Sequence, residues 1–138
     1  MASSAGYSGT ALVKKLGIKP GVTWVVENAP PEYRSWLGEL PQGVRIVARS
    51  STPIAAGHIF AVEKKELERS LKKLRVNLAP AGFIWVSWPK KAAKVKTDIT
   101  EDTIRAVALP LDFVDIKVCA VTDVWSGLKL MIRKERRD

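Results

Sequence analysis

The sequence predicts an α/β domain with a mostly parallel sheet, an antiparallel hairpin at its carboxyl end and helices on both faces. Short apolar runs alternate with helical patterns along the chain, as they do in βαβ units. The run over 83–88 is almost wholly apolar, which is typical of a central parallel strand buried on both faces. Strand patterns over 113–121 and 125–133 are separated by a turn at Thr122 and Asp123, which indicates a hairpin.

The first half of the chain is predicted to hold short helices and strands. Gly17 and then Pro20-Gly21 end the first helix, because glycine favours a left-handed cap and proline cannot continue a helix. Runs of aromatic and β-branched residues mark the strands. The helices are predicted over 10–16 and 31–37, and the strands over 22–26, 44–48, 58–62 and 83–88.

The clearest helix is predicted over 63–76, where apolar positions recur at helical spacing and most other residues are charged. Only one face is apolar, so this helix should lie on the outside of the sheet. Pro80-Ala81-Gly82 is predicted to turn the chain into the next strand. The apolar positions of the helical pattern are Leu67, Leu71, Leu74 and Leu78.

A second outer helix is predicted to begin at Thr100, a residue type that is a good N-cap. Glu101 and Asp102 fall in its first turn, where the helix dipole favours acids. Its buried positions are predicted to be Ile104, Val107 and Ala108.

The length of 138 residues suits one domain that needs no disulfide or metal to fold. The single cysteine, Cys119, lies in an apolar run and is expected to be a small buried hydrophobe. We expect a flexible amino terminus over 1–8, one domain over 9–134 and a basic tail over 135–138.

No targeting segment or membrane span is expected. The first residues lack a basic region followed by an apolar region. No apolar run approaches the ~20 residues that a membrane span requires. A lone cysteine suits a reducing compartment. Together these features predict a cytoplasmic protein without a membrane partner.

The net charge is +9, and it is divided into segments along the chain. The loop over 90–96 and the segment over 133–137 are basic, whereas acids concentrate over 98–123. Basic segments attract nucleic acid and other anions. No nucleic-acid-binding module is recognisable, so a solvated basic surface is the simpler interpretation.

Three segments resemble class I methyltransferases. Residues 78–87 contain an L-x-P-x-G turn followed by an apolar strand, and residues 16–22 are similar to the entry into the first strand of those enzymes. The strand pair over 113–133 is similar to their reversed last strands. The resemblance implies a Rossmann-like, methyltransferase-like layout.

A second resemblance extends over nearly the whole chain. Its blocks resemble the DUF3052 family of uncharacterised bacterial domains, which implies a fold but no established activity. The blocks span residues 6–10, 14–21, 85–91, 97–102 and 114–129.

The chain departs from working methyltransferases after its first strand. In those enzymes an acidic, glycine-rich loop follows this strand and lets the backbone approach S-adenosylmethionine. Here the loop Glu27-Asn28-Ala29-Pro30-Pro31 has no glycine and two prolines, and Arg49 follows the second strand where the fold places an acid. We therefore expect no cofactor.

The best candidate site lies at the carboxyl end of the 83–88 strand, where open α/β sheets place their ligands. Trp85 and Ser87 are predicted to face one side of the sheet and Trp88 the other. Lysines beside an aromatic ring can bind a phosphate and stack a ring, although core packing and a solvated loop explain the same residues. The candidate ligand-binding residues are Trp88, Lys90, Lys91, Asp98, Trp125, Ser126 and Lys129.

No catalytic or metal-binding constellation is recognisable. His58 is the only histidine, and Cys119 is not spaced to complete a metal site with it. No serine has the context of a nucleophile elbow. Helix capping explains the acids at 98, 101 and 102 better than a catalytic pair does.

Three functions stay open for a protein whose activity the sequence does not disclose. The preferred hypothesis is a non-catalytic binding or regulatory domain for a small anionic ligand or a protein partner. The first alternative is a nucleic-acid-binding protein that uses the loop over 90–96 and the carboxyl-terminal tail. The second is a divergent S-adenosylmethionine-dependent transferase.

Overall fold

Short helices and strands alternate along the computed structural model, which describes residues 11–50 and 52–137. The predicted flexible segment over 1–8 lies outside the described residues. The helices are α1 (Leu12–Leu16), α2 (Tyr33–Leu37), α3 (Lys64–Val76) and α4 (Glu101–Ala108). The strands are β1 (Thr23–Glu27), β2 (Arg45–Val47), β3 (Ile54–Phe60), β4 (Leu78–Pro89), β5 (Phe113–Ala120) and β6 (Trp125–Ile132).

The strands of the described residues form one six-stranded sheet in the order β2-β1-β3-β4-β6-β5. β1 runs parallel to β2 and β3, and β3 runs parallel to β4. β6 is antiparallel to both β4 and β5. The predicted mostly parallel sheet with an antiparallel carboxyl-terminal hairpin is therefore confirmed.

Helices pack on both faces of the sheet, as predicted. Leu67 of α3 and Ile104 of α4 belong to the core on one face, which we name the α3/α4 face. Leu12 of α1 and Tyr33 of α2 belong to the core on the other, the α1/α2 face. Neighbouring strand residues point to opposite faces. Accordingly, Trp85 lies in the α1/α2 core and Trp88 in the α3/α4 core.

The two outer helices are placed as the sequence predicts. Leu67, Leu71 and Leu74 are buried on α3. The Thr100 hydroxyl accepts a hydrogen bond from the Thr103 amide at 3.2 Å, and the Thr103 hydroxyl accepts one from the Thr100 amide at 3.1 Å. This reciprocal capping box fixes where α4 begins.

Two strands begin earlier than predicted. β3 starts at Ile54 and β4 starts at Leu78, so the prediction of a turn over 80–82 that precedes the strand was wrong. The chain bulges there instead, because the β3–β4 register shifts between Ile54 and Ala56. A Cβ on Gly82 would lie 2.8 Å from the Ile54 carbonyl oxygen, so this close backbone approach requires glycine.

A chain of hydrogen-bonded side chains runs through the α1/α2 core. The Trp24 indole N–H donates to the Tyr33 hydroxyl at 2.8 Å. The Tyr33 oxygen lies 2.7 Å from His58 Nδ1, and His58 Nε2 lies 2.7 Å from Ser87 Oγ. The indole can only donate, so the Tyr33 oxygen accepts from Trp24. The Tyr33 proton has a partner within the chain if Tyr33 donates to His58 Nδ1, and the neutral His58 then donates from Nε2 to Ser87. The chain joins β1, α2, β3 and β4.

Burial keeps both titratable members of this chain neutral. His58 is fully buried, which lowers its pKa from 6.5 to about 3. Burial raises the pKa of Tyr33 far above its usual range, against a smaller opposite effect of the Trp24 hydrogen bond. The Phe60 ring stacks on the imidazole at 4.3 Å between centroids. His58 is thus a core residue with both ring nitrogens bonded.

We expect the free energy of unfolding to fall as the pH drops below about 6.5. The unfolded chain then binds a proton on His58 that the folded chain does not bind until about pH 3. The expected loss from this residue between pH 7 and pH 5 is about 2 kcal/mol. Urea denaturation at a series of pH values measures it.

The matched variant for this measurement is His58→Gln, which keeps a hydrogen-bonding side chain but does not titrate. Its stability should vary less between pH 7 and pH 5 than that of the unsubstituted protein, whatever its absolute stability. An equal fall in both proteins would show that His58 does not carry the pH dependence.

Candidate functional site at the carboxyl ends of the strands

A pocket of about 430 Å³ lies beyond the carboxyl end of β4, on the α3/α4 face. It lies between the last residues of that strand, the loop over 90–99 and the first turn of α4. This volume suits a small molecule. We name it the Trp88 pocket; its lining consists of Trp88, Pro89, Lys91, Val95, Thr97, Ile99, Thr100 and Glu101.

A second hollow, of about 350 Å³, adjoins the Trp88 pocket through their shared residue Thr97. The Thr97 hydroxyl donates to the Val62 carbonyl oxygen and accepts from the Ile99 amide at 3.1 Å. The first bond holds the loop over 90–99 against the chain that follows β3, and the second lies within the loop. The Trp88 pocket and the adjoining hollow together form a groove at the carboxyl end of β4.

One lysine lines each hollow of this groove, and neither lysine forms an ion pair among the described residues. Lys91 lines the Trp88 pocket and Lys96 lines the adjoining hollow. The carboxylate in the pocket, Glu101, is bound by the Arg105 guanidinium one helical turn away. Within residues 11–50 and 52–137, no ion pair is formed by the lysines of the loop, which are Lys90, Lys91, Lys94 and Lys96.

The structure brings part of the predicted ligand-binding set together. Trp88 and Lys91 both line the pocket. Ser126 lies directly opposite Trp88 in the β4–β6 ladder. The backbone amide of Lys90 donates to the Val124 carbonyl oxygen at 2.7 Å, which ties the start of the loop to the chain before β6.

Two other predicted residues lie on the opposite face of the sheet. The Trp125 ring packs edge-on against Phe60, with centroids 5.0 Å apart, in the α1/α2 core. The Lys129 ammonium lies 4.3 Å from the centroid of the Phe83 ring. Neither side chain lines the Trp88 pocket, so the set does not form one site.

Asp98 lies at the groove, and its carboxylate is bonded to the backbone of α3. Its Oδ1 accepts a hydrogen bond from the Lys64 amide at 2.7 Å, at the amino end of α3. It also lines the hollow next to the Trp88 pocket. Asp98 therefore bonds to the amino end of α3, which is distant along the chain, and not to α4, where the sequence predicted its capping role.

The end of β1 and the loop that follows it differ from the glycine-rich loop of the methyltransferases that the sequence resembles. The Glu27 carboxylate binds Lys73 Nζ at 2.8 Å and accepts from Ser70 Oγ at 3.1 Å, both on α3. Asn28 has a φ of 62°, so an asparagine adopts the left-handed backbone that glycine would otherwise supply. Arg49, after β2, is exposed.

The basic tail folds back on the sheet. Lys134–Arg136 form a 3₁₀ turn. Arg133 and Arg136 reach the Asp112 carboxylate at 3.0 and 3.5 Å, and Arg75 reaches it at 3.3 Å. Several arginines thus share one acid, and the hydrogen bond from Arg133 is the main cause that lowers the pKa of Asp112.

Residues outside the predicted set also shape the groove. Thr97 joins both hollows, and Val62 approaches from the chain after β3. No motif in the sequence around Thr97 or Val62 predicts that these residues belong to a site. In the described part of the chain, no group of three or more histidines, cysteines or acids is placed to hold a metal ion. Over the same residues, no helix has the length and apolar character needed to cross a membrane.

The fold is similar to solved methyltransferase structures. A SAM-dependent methyltransferase from Aquifex aeolicus matches 88% of this chain and 87% of its own, with a TM-score of 0.57 and 13% identity. Magnesium protoporphyrin IX methyltransferase from Synechocystis, solved with bound SAH, matches 88% of this chain and 78% of its own, with a TM-score of 0.55 and 9% identity.

TrmN from Thermus thermophilus matches 88% of this chain with a TM-score of 0.55 and 11% identity, and this chain spans 47% of its length. At these identities the likeness shows a methyltransferase-like fold. No family model matches the sequence, and no curated protein matches it. The resemblance to the DUF3052 family therefore stays a prediction.

Replacing Asp98 with alanine should lower the free energy of unfolding by about 1 kcal/mol, because the Lys64 amide loses its cap. Urea denaturation of Asp98→Ala measures this. Asp123→Ala is the matched control, since Asp123 is an exposed acid in the turn before β6. If both variants are as stable as the unsubstituted protein, Asp98 does not stabilise α3.

Proposed function

We propose that this protein is a non-catalytic binding domain on a methyltransferase-like fold, and that its ligand is a small anion with an apolar part. The observation that carries the proposal is the Trp88 pocket itself. An aromatic and aliphatic wall lies there beside Lys91, which forms no ion pair among the described residues, and the pocket's carboxylate, Glu101, is bound by Arg105 instead. Unpaired cations attract an anionic group, and the apolar wall buries the rest of the ligand.

The chemistry of the lining supports binding rather than catalysis. Its polar groups are the hydroxyls of Thr97 and Thr100, the ammonium of Lys91 and the carboxylate of Glu101. Arg105 binds that carboxylate, which disfavours a role as general base. Thr100 caps α4 and Thr97 holds the loop, so both hydroxyls already have structural partners.

The divergent transferase is the second candidate, because the structural neighbours are methyltransferases and one of them was solved with bound SAH. The β1 loop argues against it for this chain. Glu27, the residue at the cofactor position implied by the resemblance, is held by Ser70 and Lys73. The two prolines after Asn28 also restrict how closely a ligand can approach that backbone.

Adenosine monophosphate and phenyl phosphate should raise the thermal midpoint of the protein more than adenosine does, since only the phosphates engage the lysines. A ligand that binds only the folded state stabilises it by mass action. Differential scanning fluorimetry at low and moderate salt measures the shifts. The panel includes S-adenosylmethionine and S-adenosylhomocysteine.

Lys90→Ala/Lys91→Ala is the test variant, and it should lose the phosphate-dependent shift without losing its fold. Lys65→Ala/Lys72→Ala is the matched control, because both residues are exposed on α3 and removing them changes the net charge equally. An unchanged shift in the test variant would refute the Trp88 pocket as the binding site. A strong shift with S-adenosylmethionine alone would favour the transferase instead.

A further inference from the structure

Four lysines gather on the α1/α2 face, on the other side of the sheet from the Trp88 pocket. Lys117 of β5 lies directly opposite Lys129 of β6. Lys129 in turn lies opposite Trp85, which belongs to the α1/α2 core. We name Lys15, Lys19, Lys117 and Lys129 the lysine patch.

Helix α1 and the turn after it bring the other two lysines to this place. The Lys15 ammonium donates to the Ala120 carbonyl oxygen at 2.9 Å, so it reaches the end of β5. Burial lowers the pKa of Lys129, and the positive charges of Lys117 and Lys19 lower it further. Lys19 and Lys117 therefore lie near enough to Lys129 for their charges to act on it.

A β-bulge produces the central pair of the patch. The β5–β6 ladder pairs Asp115 with Leu130 and then Lys117 with Lys129. Two steps along β5 thus match one step along β6, and the extra residue is Ile116. In a regular ladder Ile116 would lie opposite Lys129, and Lys117 would point to the other face. Bulges of this kind redirect side chains.

The arrangement is electrostatically unfavourable without a ligand. Like charges directly opposite each other destabilise a strand pair. Asp115 shares the β5 strand but points to the α3/α4 face, where it binds Arg105 at 3.1 Å. In the part of the chain that the structure describes, Lys19, Lys117 and Lys129 form no ion pair. A bound anion would relieve the repulsion.

An aromatic surface adjoins these charges. The Lys129 ammonium lies over the half-buried Phe83 ring. Val114 and Met131, which pair with each other on the same face, are also half-buried. Cations beside an aromatic and apolar surface are typical of sites that bind single-stranded nucleic acid.

We infer that the lysine patch binds single-stranded nucleic acid through its phosphodiester backbone. A polyanion with regularly spaced charges can engage lysines that are spread over the whole patch. Lysine contacts phosphate as a point charge and needs no particular sequence. The net charge of +9 adds long-range attraction. The lysine patch lies on a different face from the Trp88 pocket, so a failure of either proposal leaves the other unaffected.

Lys117→Gln/Lys129→Gln should weaken binding to a labelled oligothymidylate of about 15 nucleotides by on the order of ten-fold or more. The slope of log affinity against log salt should fall by about 1.4, since each lost phosphate contact contributes about 0.7 for a single strand. Fluorescence anisotropy over a salt series measures both. Thermal stability should be kept or raised, because the like-charge pair is gone.

Lys65→Gln/Lys72→Gln on α3 is the control for charge alone, and it should keep its affinity. Lys117→Arg/Lys129→Arg should bind like the unsubstituted protein. Equal weakening in the α3 control, or weakening in Lys90→Gln/Lys91→Gln alone, would overturn the proposal. So would no binding of the oligonucleotide, or charge-dependent binding to vesicles of anionic phospholipid in its place.

Discussion

The chain of hydrogen bonds centred on His58 connects four elements of the structure. A fully buried imidazole is costly unless both of its nitrogens are bonded, and here Tyr33 and Ser87 supply the two partners. Tyr33 comes from α2 and Ser87 from β4, so the imidazole connects a helix on one face to the middle of the sheet. Trp24 completes the chain from β1. The bond between His58 and Ser87 ties β3 to β4, and the Trp88 pocket lies beyond the carboxyl end of β4.

Some acids of the α3/α4 face are held in ion pairs. Glu27 pairs with Lys73, and Asp115 pairs with Arg105. The lysines of the loop over 90–99 form no ion pair among the described residues, and neither do Lys19, Lys117 and Lys129 of the lysine patch. The fold is methyltransferase-like, and both binding proposals use these lysines rather than the loop after β1.

The sequence predicts the sheet well because its signals are local. The alternation of apolar runs with helical patterns, the Thr100 cap and the leucines of α3 each act within a few residues. The start of β3 was not predictable in this way, since Ala55, Ala56 and Gly57 have low strand propensity and are held by parallel neighbours on both sides.

The residues of the candidate site likewise differ in whether the local sequence predicts them. Trp88 and Lys91 are close in sequence, so one strand-end argument found both. The contact between Thr97 and Val62 joins segments that are distant along the chain, so no local sequence pattern predicts it. The bulge at Ile116 decides which face Lys117 occupies, and that depends on the register of the ladder with β6.

The place of β6 in the sheet has a consequence for the order of folding. β6 is later in the chain than every other strand described, yet it lies in the interior of the sheet, with β4 on one side and β5 on the other. β5 has no sheet neighbour except β6 among the described residues, so it cannot join the sheet before β6 does. During synthesis the parallel half can assemble first. β5 then joins together with β6 or after it, once residues 125–132 have left the ribosome.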